Sequence, residues 1–263
     1  MLDDLLRANW QVFEAINQRA GHQPLLDPLM VVGAQDVIFV LPLLLLALWF
    51  AVARWAPLGR AAAAPSAQGE EGVEGAESEG ERVWLEYDRG LGQRVALLGA
   101  VGVAVALALN VLLGHLVFEP RPFISQPAHV HRLIAHAIDN AFPSDHLAVA
   151  GAVTTALGLY LLFALTSAFR LRAEAAQTVR VSLELRRRFV PEVVAATVLF
   201  VVALLVLGWI GIARVYTGVH YPGDIVVGTL CGFVGSVFAV ALRPVLEPLL
   251  APLIRVAERV RVA

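Results

Sequence analysis

The sequence contains no lysine and a single cysteine, and both shortages limit what the protein can do. One cysteine, Cys231, excludes an internal disulfide and a zinc site built from cysteines. All 20 basic residues are arginines, which keep their charge at physiological pH. There is also no glycine-rich nucleotide loop and no HExxH pair, so we expect no cofactor and no metal.

Charged residues are scarce too, which points away from a soluble protein. They form 16% of the 263 residues, against 58% hydrophobic residues and a mean hydropathy of +0.71. A helix of about 20 apolar residues crosses a bilayer core. Five stretches qualify, at about 29–55, 95–118, 147–169, 193–212 and 225–242. The sequence therefore predicts an all-α integral membrane helical bundle of about five transmembrane helices, as a single domain over residues 1–263.

The segment before the first span predicts one further helix. Apolar side chains recur at helical spacing over residues 2–17. This pattern fits either an amphipathic helix in the membrane interface or a short sixth packing element of the bundle. Asp3 and Asp4 stand where a cleavable signal peptide has basic residues, so we expect the segment to remain in the mature protein.

The arginines predict how the bundle is oriented. They concentrate in the loops after the first and third spans and in the segment after the fifth, which the positive-inside rule makes cytoplasmic. Residues 57–80 of the first loop are rich in Ala, Gly and Glu, so we expect a disordered, solvated acidic linker rather than a docking site for a basic partner. The arginine-rich segment 170–188 fits anionic lipid head groups or orientation alone. We expect no nucleic-acid partner.

Three polar clusters lie at the ends of predicted spans, and all fall on the face opposite to the arginine-rich loops. They read EPRPF at 119–123, FPSDH at 142–146 and RVYTGVHYPGD at 214–224. Arg121 and Arg214 suit a bidentate clamp on phosphate oxygens, although either one alone also fits snorkelling to lipid head groups. The clusters predict one anion-binding site at the extracytoplasmic face.

The second and third clusters stand where helices begin. Ser144 precedes the apolar periodicity of the third span, where a serine caps a helix and the next backbone N–H groups bind anions. Pro222 occupies a favoured first-turn position of the fifth span. We expect two helix N-termini to meet at one anionic ligand.

The histidines supply the reactive groups. His220 and Asp224 are four residues apart, so the carboxylate can fix the tautomer of the imidazole and leave the other ring nitrogen free to attack. His146 comes from another span and has no acid at that spacing, so we expect it to shuttle protons near neutral pH.

These clusters resemble the motifs of the type 2 phosphatidic acid phosphatase superfamily. Its pattern is a basic residue followed by Arg-Pro, then Pro-Ser-x-His, then Ser-Arg-x5-His-x3-Asp, and the resemblance covers about residues 110–243. FEPRPF, followed by HRLIAHAIDNAFPSDH at 131–146, is similar to the bacterial undecaprenyl-diphosphate phosphatase branch, which recycles the lipid carrier of cell-wall synthesis.

The resemblance implies an activity and a role for each motif residue. His220 is the phosphorylated nucleophile, Asp224 orients it, and His146 is general acid and then base. The implied phosphate ligands are Arg121, Ser144 and Arg214. The implied substrate is an isoprenoid lipid diphosphate, cleaved at the extracytoplasmic face of the bacterial plasma membrane among membrane lipids.

The sequence departs from the superfamily pattern at two positions and leaves two weaker candidates. Gly114 stands where the family has lysine, and Ala213 where it has serine. His136 and Glu119 are further candidates to shape the site. Two rival functions stay open: hydrolysis of another lipid phosphate, such as phosphatidic acid, phosphatidylglycerophosphate or lipid A, and transport or lipid binding without catalysis.

Overall fold

The computed structural model describes residues 2–53, 90–174 and 179–259. Within these ranges the chain is helical and has no strand, only an isolated bridge between Pro120 and Asn140. The predicted all-α fold is confirmed. The expected disordered linker at 57–80 lies outside the described residues. The helices are α1 (Leu2–Asn17), α2 (Leu26–Gln35), α3 (Val40–Ala53), α4 (Leu91–Leu116), α5 (Pro122–Ser125), α6 (Asp145–Glu174), α7 (Val179–Tyr216), α8 (Pro222–Ala241) and α9 (Arg243–Arg259).

Among the described residues, four helical segments are long and apolar enough to cross a membrane. They are Leu91–Leu116, Asp145–Ser167, Val190–Tyr216 and Pro222–Ala241. Each overlaps a predicted span. A bent pair of helices near the N-terminus gives a fifth candidate. The protein is therefore a membrane helical bundle of four or five spans.

The first span is not the single straight helix that the sequence predicts. Helix α2 and the helical segment after it are bent by 50°, with a 3₁₀ turn at Val37–Phe39 between α2 and α3. Pro42 explains the break, because it has no N–H for the carbonyl of residue 38 and its ring collides with that carbonyl in a continuous α-helix. The long apolar run therefore forms two shorter helices.

The centre of the bundle is closely packed because small residues line its helix contacts. Helix α8 packs along both α4 and α6, and α6 packs along α7. A Cβ on Gly151 would lie 2.7 Å from the carbonyl oxygen of Thr229, and one on Gly232 would collide with the backbone of Ala148 and Ala152. Small residues that let helix backbones approach are typical of membrane bundles. This close packing fixes the start of α8 beside the start of α6.

Helix α1 is a packing element of the bundle, which favours the second of the two alternatives for this segment. Phe13 is fully buried, and its ring centroid lies 5.4 Å from that of Tyr221. The Asn17 side-chain amide donates to the carbonyls of Tyr216 and His131, at 2.8 Å each. Asn9 accepts from the Gly223 N–H at 2.9 Å. Helix α1 thus ties together the loops that carry the polar clusters.

Candidate active site

The three polar clusters meet at one end of the bundle. The Ser144 N–H donates to the Asp224 carbonyl at 3.2 Å, so the starts of α6 and α8 are adjacent. Helix α8 begins with Pro222 at its first position, as predicted. Arg121 directly precedes the short helix α5. The starts of α6 and α8 therefore border one site, as expected. At α8 the first N–H groups are bound within the protein, since the Gly223 N–H donates to Asn9 and the Asp224 N–H to the Tyr221 carbonyl. The start of α6 is therefore the helix end that suits an anion.

His220 and Asp224 form the pair that their spacing predicts. Nδ1 of His220 lies 3.1 Å from Oδ2 of Asp224, and both residues are buried. The same carboxylate oxygen accepts the Tyr221 N–H at 2.9 Å, which closes a capping box at the start of α8. With the carboxylate holding the proton on Nδ1, Nε2 of His220 is left as an acceptor. Nε2 is therefore the ring nitrogen whose lone pair is available to an electrophile.

Two arginines face this nitrogen. Nη2 of Arg214 lies 2.9 Å and Nη1 of Arg121 3.3 Å from Nε2 of His220. A guanidinium can only donate, so both contacts require an unprotonated Nε2. Burial, followed by the charges of Arg214 and Arg121, lowers the pKa of His220 well below its usual value. The imidazole is therefore neutral at neutral pH.

Neither arginine snorkels to the membrane surface, because both are buried, at 4% exposure for Arg121 and 3% for Arg214. Nε of Arg121 donates to Oδ1 of Asp139 at 2.6 Å, and its Nη1 donates to the Val219 carbonyl at 2.9 Å. Nη1 of Arg214 donates to the Ala34 carbonyl at 3.1 Å, and its Nε is buried without a partner. Two fixed positive charges thus lie beside Nε2 of His220, an arrangement that suits a phosphate.

Ser144 occupies the capping position of α6, but the predicted side-chain cap is absent. Its carbonyl accepts the Ala148 N–H at 3.0 Å, whereas its hydroxyl is buried without a hydrogen bond. The Ser144 backbone is held against α8, where a Cβ on Gly228 would collide with the Ser144 carbonyl oxygen. The hydroxyl is therefore left for a ligand.

His146 lies in the first turn of α6, half-buried and within electrostatic reach of Arg214, His136 and Arg121. The structure thus brings it to the site, as the sequence predicts. Its neighbour Asp145 accepts the Asn110 side-chain amide at 3.0 Å, which links α4 to the start of α6.

His136, a weak candidate from sequence, also lies in the site. Its Nε2 is 3.2 Å from Nη2 of Arg214, and its ring centroid is 6.4 Å from that of His220. Burial, Arg121 and Arg214 lower the pKa of His136. The only sequence signal for it was its place in the segment before FPSDH.

Glu119, the other weak candidate, lies beside Asp224. Among the described residues, Oδ1 of Asp224 receives no hydrogen bond from an amide, hydroxyl or cation, and the Glu119 carboxyl is its neighbour. Two carboxyl groups can bond only when one carries a proton. Burial raises the pKa of Glu119, and its hydrogen bond with Asp224 lowers it.

Two polar residues that support the site escaped sequence reasoning. Asp139 binds Arg121. Asn140 accepts the Glu119 N–H at 2.9 Å and donates to the carbonyls of Gly114 and Val117 at 2.9 and 2.8 Å. Both come from the irregular loop before FPSDH, where the sequence leaves ligand contact and exposure to solvent about equally open for a residue such as Asp139. Only the fold shows that this loop turns back over the site.

The departures from the superfamily pattern have local explanations. A Cβ on Gly114 would lie 3.3 Å from the Phe142 carbonyl oxygen, so the loop leaves little room for a side chain. Ala213 is fully buried among the apolar residues Ala34, Ile134 and Val219, where a hydroxyl has few partners.

Among the described residues, no three His, Cys, Asp or Glu side chains are grouped to hold a metal ion.

Comparison with known proteins identifies the family of the chain. The profile described as PAP2 superfamily matches residues 95–247, more than half of the chain. Undecaprenyl-diphosphatase BcrC of Bacillus subtilis (strain 168) is 27% identical over 91% of this chain and 88% of that protein. Putative undecaprenyl-diphosphatase YbjG of Escherichia coli (strain K12) is 26% identical over 91% of this chain and 83% of its own length. The crystal structure of Aquifex aeolicus LpxE is 20% identical, with a TM-score of 0.46 over 89% of this chain and 95% of that one.

Proposed function

The chain belongs to the PAP2 superfamily, and from that premise we propose that this membrane phosphatase hydrolyses undecaprenyl diphosphate to undecaprenyl phosphate and inorganic phosphate. The observation that carries the proposal is the state of His220. Its Nδ1 is held by Asp224, and its Nε2 faces two buried arginines. Two relatives named as undecaprenyl-diphosphatases support the choice of substrate.

The first step forms a phosphoenzyme. Nε2 of His220 attacks the terminal phosphorus, a P–N bond forms, and the bridging P–O bond breaks with its electron pair on the departing lipid monophosphate. Asp224 stabilises the positive charge that develops on the ring. His146 donates a proton to the departing oxygen where one is needed.

The second step releases phosphate. His146, now unprotonated, takes a proton from a water molecule, whose oxygen attacks the phosphorus. The P–N bond then breaks, and its electron pair returns to Nε2 of His220. The free enzyme is restored, and the second product is inorganic phosphate.

Positively charged and hydrogen-bond-donating groups that are already in position stabilise the charge on the transferring phosphoryl group. Arg121 and Arg214 are fixed beside Nε2, and the Ser144 hydroxyl and the start of α6 supply further donors. Donors that are positioned before the reaction lower its barrier because they need not reorganise. We place this chemistry at the extracytoplasmic face of the bacterial plasma membrane, as the arginine distribution predicts.

A substrate panel with purified protein in detergent tests the proposal. Undecaprenyl diphosphate should give the highest kcat/KM when compared with phosphatidic acid, phosphatidylglycerophosphate and lipid A. A faster reaction with one of these three would reassign the substrate. Binding without release of phosphate would instead indicate a transporter or lipid-binding protein.

Trapping with labelled substrate tests the covalent step. The parent should yield an acid-labile phosphoenzyme, and His220→Ala should yield none and lose turnover while remaining folded and in the membrane. His22→Ala, which changes an exposed histidine at a distance in sequence from the motifs, is the matched control. Substantial turnover by His220→Ala would contradict the covalent mechanism.

A further inference from the structure

His136 has one partner in the site and one unused polar atom. Its Nε2 lies 3.2 Å from Nη2 of Arg214, the same nitrogen that contacts Nε2 of His220 at 2.9 Å. Among the described residues, its Nδ1 makes no hydrogen bond of good geometry, and Oδ1 of Asp139 is too far away at 3.9 Å. Buried polar atoms in native proteins are nearly always paired. An unpaired one beside a phosphate clamp indicates that a ligand changes its surroundings.

The loop around His136 is held in place rather than left to solvent. Arg132 donates through Nε to the Ile134 carbonyl at 2.8 Å and through Nη2 to the His136 carbonyl at 3.0 Å. The Arg132 guanidinium lies 4.1 Å from the centre of the Phe123 ring. The Leu133 N–H donates to the Thr217 carbonyl at 3.3 Å, which joins the loop to the segment before His220. His136 is therefore positioned before a substrate arrives.

His136 and His220 differ in burial, and both contact the same nitrogen of Arg214. His220 is 3% exposed, whereas the side chain of His136 is 23% exposed, and Arg214 lies between them. The two Nε2 atoms are within about 6 Å of each other because both contact one Arg214 nitrogen. The phosphoryl group to be transferred must sit at Nε2 of His220. The rest of the substrate must leave towards the open side of the site, which is the side of the more exposed His136.

We infer that His136 binds the second phosphate of a diphosphate, the phosphate that leaves with the lipid, and so selects diphosphates over monophosphates. The inference rests on the proposed function. When substrate oxygens accept the Nη2 N–H of Arg214, that N–H no longer donates to Nε2 of His136. The neutral ring then exchanges its proton through water from Nδ1 to Nε2, and Nε2–H donates to the second phosphate. A lipid monophosphate has only carbon at this place.

A comparison of two substrates with the same chain tests this assignment. Farnesyl diphosphate and farnesyl monophosphate differ only in the second phosphate. Because a hydrogen bond to a charged group contributes about ten- to a hundredfold in affinity, His136→Ala should lower kcat/KM for the diphosphate by about that factor. The monophosphate should change by less than about threefold, and retained monophosphate turnover shows that the variant is folded.

Two further variants sharpen the result. His136→Gln keeps a neutral donor and should recover part of the preference for the diphosphate. His129→Ala changes an exposed histidine earlier in the same loop and should leave the preference at the parent value. Equal loss on both substrates in both His136 variants, or no change in the ratio, would overturn the inference. A parent that cleaves neither farnesyl diphosphate nor undecaprenyl diphosphate would instead refute the proposed function, before any variant is compared.

Discussion

At the scale of single residues, reactivity depends on charge held around one imidazole. Nε2 of His220 can attack only when it carries no proton, and two guanidinium groups lie within 3.3 Å of it. Positive charge at that distance disfavours the imidazolium ion, as does burial. The arginines thus favour the neutral form of His220, which is the form that the proposed attack needs.

The pH dependence of the first step follows from this arrangement. The ordinary histidine pKa is about 6.5, and burial, Arg214 and Arg121 lower that of His220. As pH falls, His220 should remain neutral past pH 6.5, so the acid limb of the phosphoryl-transfer rate should lie below that value. Arg121→Gln removes one positive charge and should move the limb to higher pH.

Rapid mixing across a range of pH measures this rate directly as the burst of lipid product. Ionisation of the substrate is the same for both proteins, so the difference between their profiles isolates the enzyme. A limb that stays in place or moves to lower pH in Arg121→Gln would contradict the electrostatic role given to the arginines.

The role of His146 depends on the leaving group. A lipid diphosphate expels a phosphate monoester with a second pKa of about 6, whereas a monophosphate expels an alkoxide whose conjugate acid is comparable to water, at about 15.7. General acid catalysis contributes about 10² to 10⁴ in rate. His146→Ala should therefore slow the first step far more for monophosphates. With the diphosphate it should give a burst and then a slow steady state, because water attack still needs the base.

Burst measurements on both substrates check this expectation. Equal loss of the first step for both, with no burst from the diphosphate, would take His146 out of acid–base catalysis and leave it as a phosphate contact.

Residues within the motifs could be placed from sequence, and residues outside them could not. The four-residue spacing predicts the His220–Asp224 contact because it spans the start of α8, where an acid in the first helical turn can reach back to the residues just before the helix. The Asp139–Arg121 ion pair depends on how an irregular loop folds back, which no local pattern encodes. The unpaired Ser144 hydroxyl depends on contact between α6 and α8, which is also non-local.

At the scale of helices, close packing is set by glycines on α6 and α8. A Cβ on Gly232 would collide with the α6 backbone, whereas one on Gly208 of α7 would meet nothing within 4 Å. Gly232→Ala should therefore destabilise the protein by about 1–3 kcal/mol, as overpacking does. Gly208→Ala is the matched control, and it should be neutral or stabilising by up to about 1 kcal/mol through helix propensity.

Thermal unfolding in detergent distinguishes the two glycines. Gly232→Ala should lower the Tm, and Gly208→Ala should leave it unchanged or raise it. Similar shifts for both variants would mean that the contact between α6 and α8 is not the limiting one.

Spans were easier to predict than breaks within them. The last four spans were predicted because uninterrupted apolar length suffices to identify them. The first run is apolar throughout as well, but Pro42 ends helical hydrogen bonding inside it. A mean hydropathy taken over a whole segment hardly changes at a single proline. The two helices bent by 50° were therefore predicted as one span.

At the scale of the whole molecule, orientation remains a prediction from the arginines. A reporter fused near Val179 should behave as cytoplasmic, and a tag near Pro127 should be reachable from outside the cell, because arginine-rich loops stay inside. Labelling of intact cells and spheroplasts with a membrane-impermeant reagent measures both. Protection of the Pro127 tag would invert the topology and remove the proposed role in recycling a carrier lipid.

The residues that α1 contacts are synthesised long after α1 itself. Asn17 pairs with Tyr216, 199 positions later, and Asn9 pairs with Gly223, 214 positions later. At about 5–20 residues per second, α1 leaves the ribosome roughly 10–40 s before these partners exist. A chain arrested just before Asp224 already contains Arg121, Arg214 and the histidines of the site. It lacks the carboxylate that contacts Nδ1 of His220. The phosphatase therefore gains a complete active site only when α8 enters the membrane.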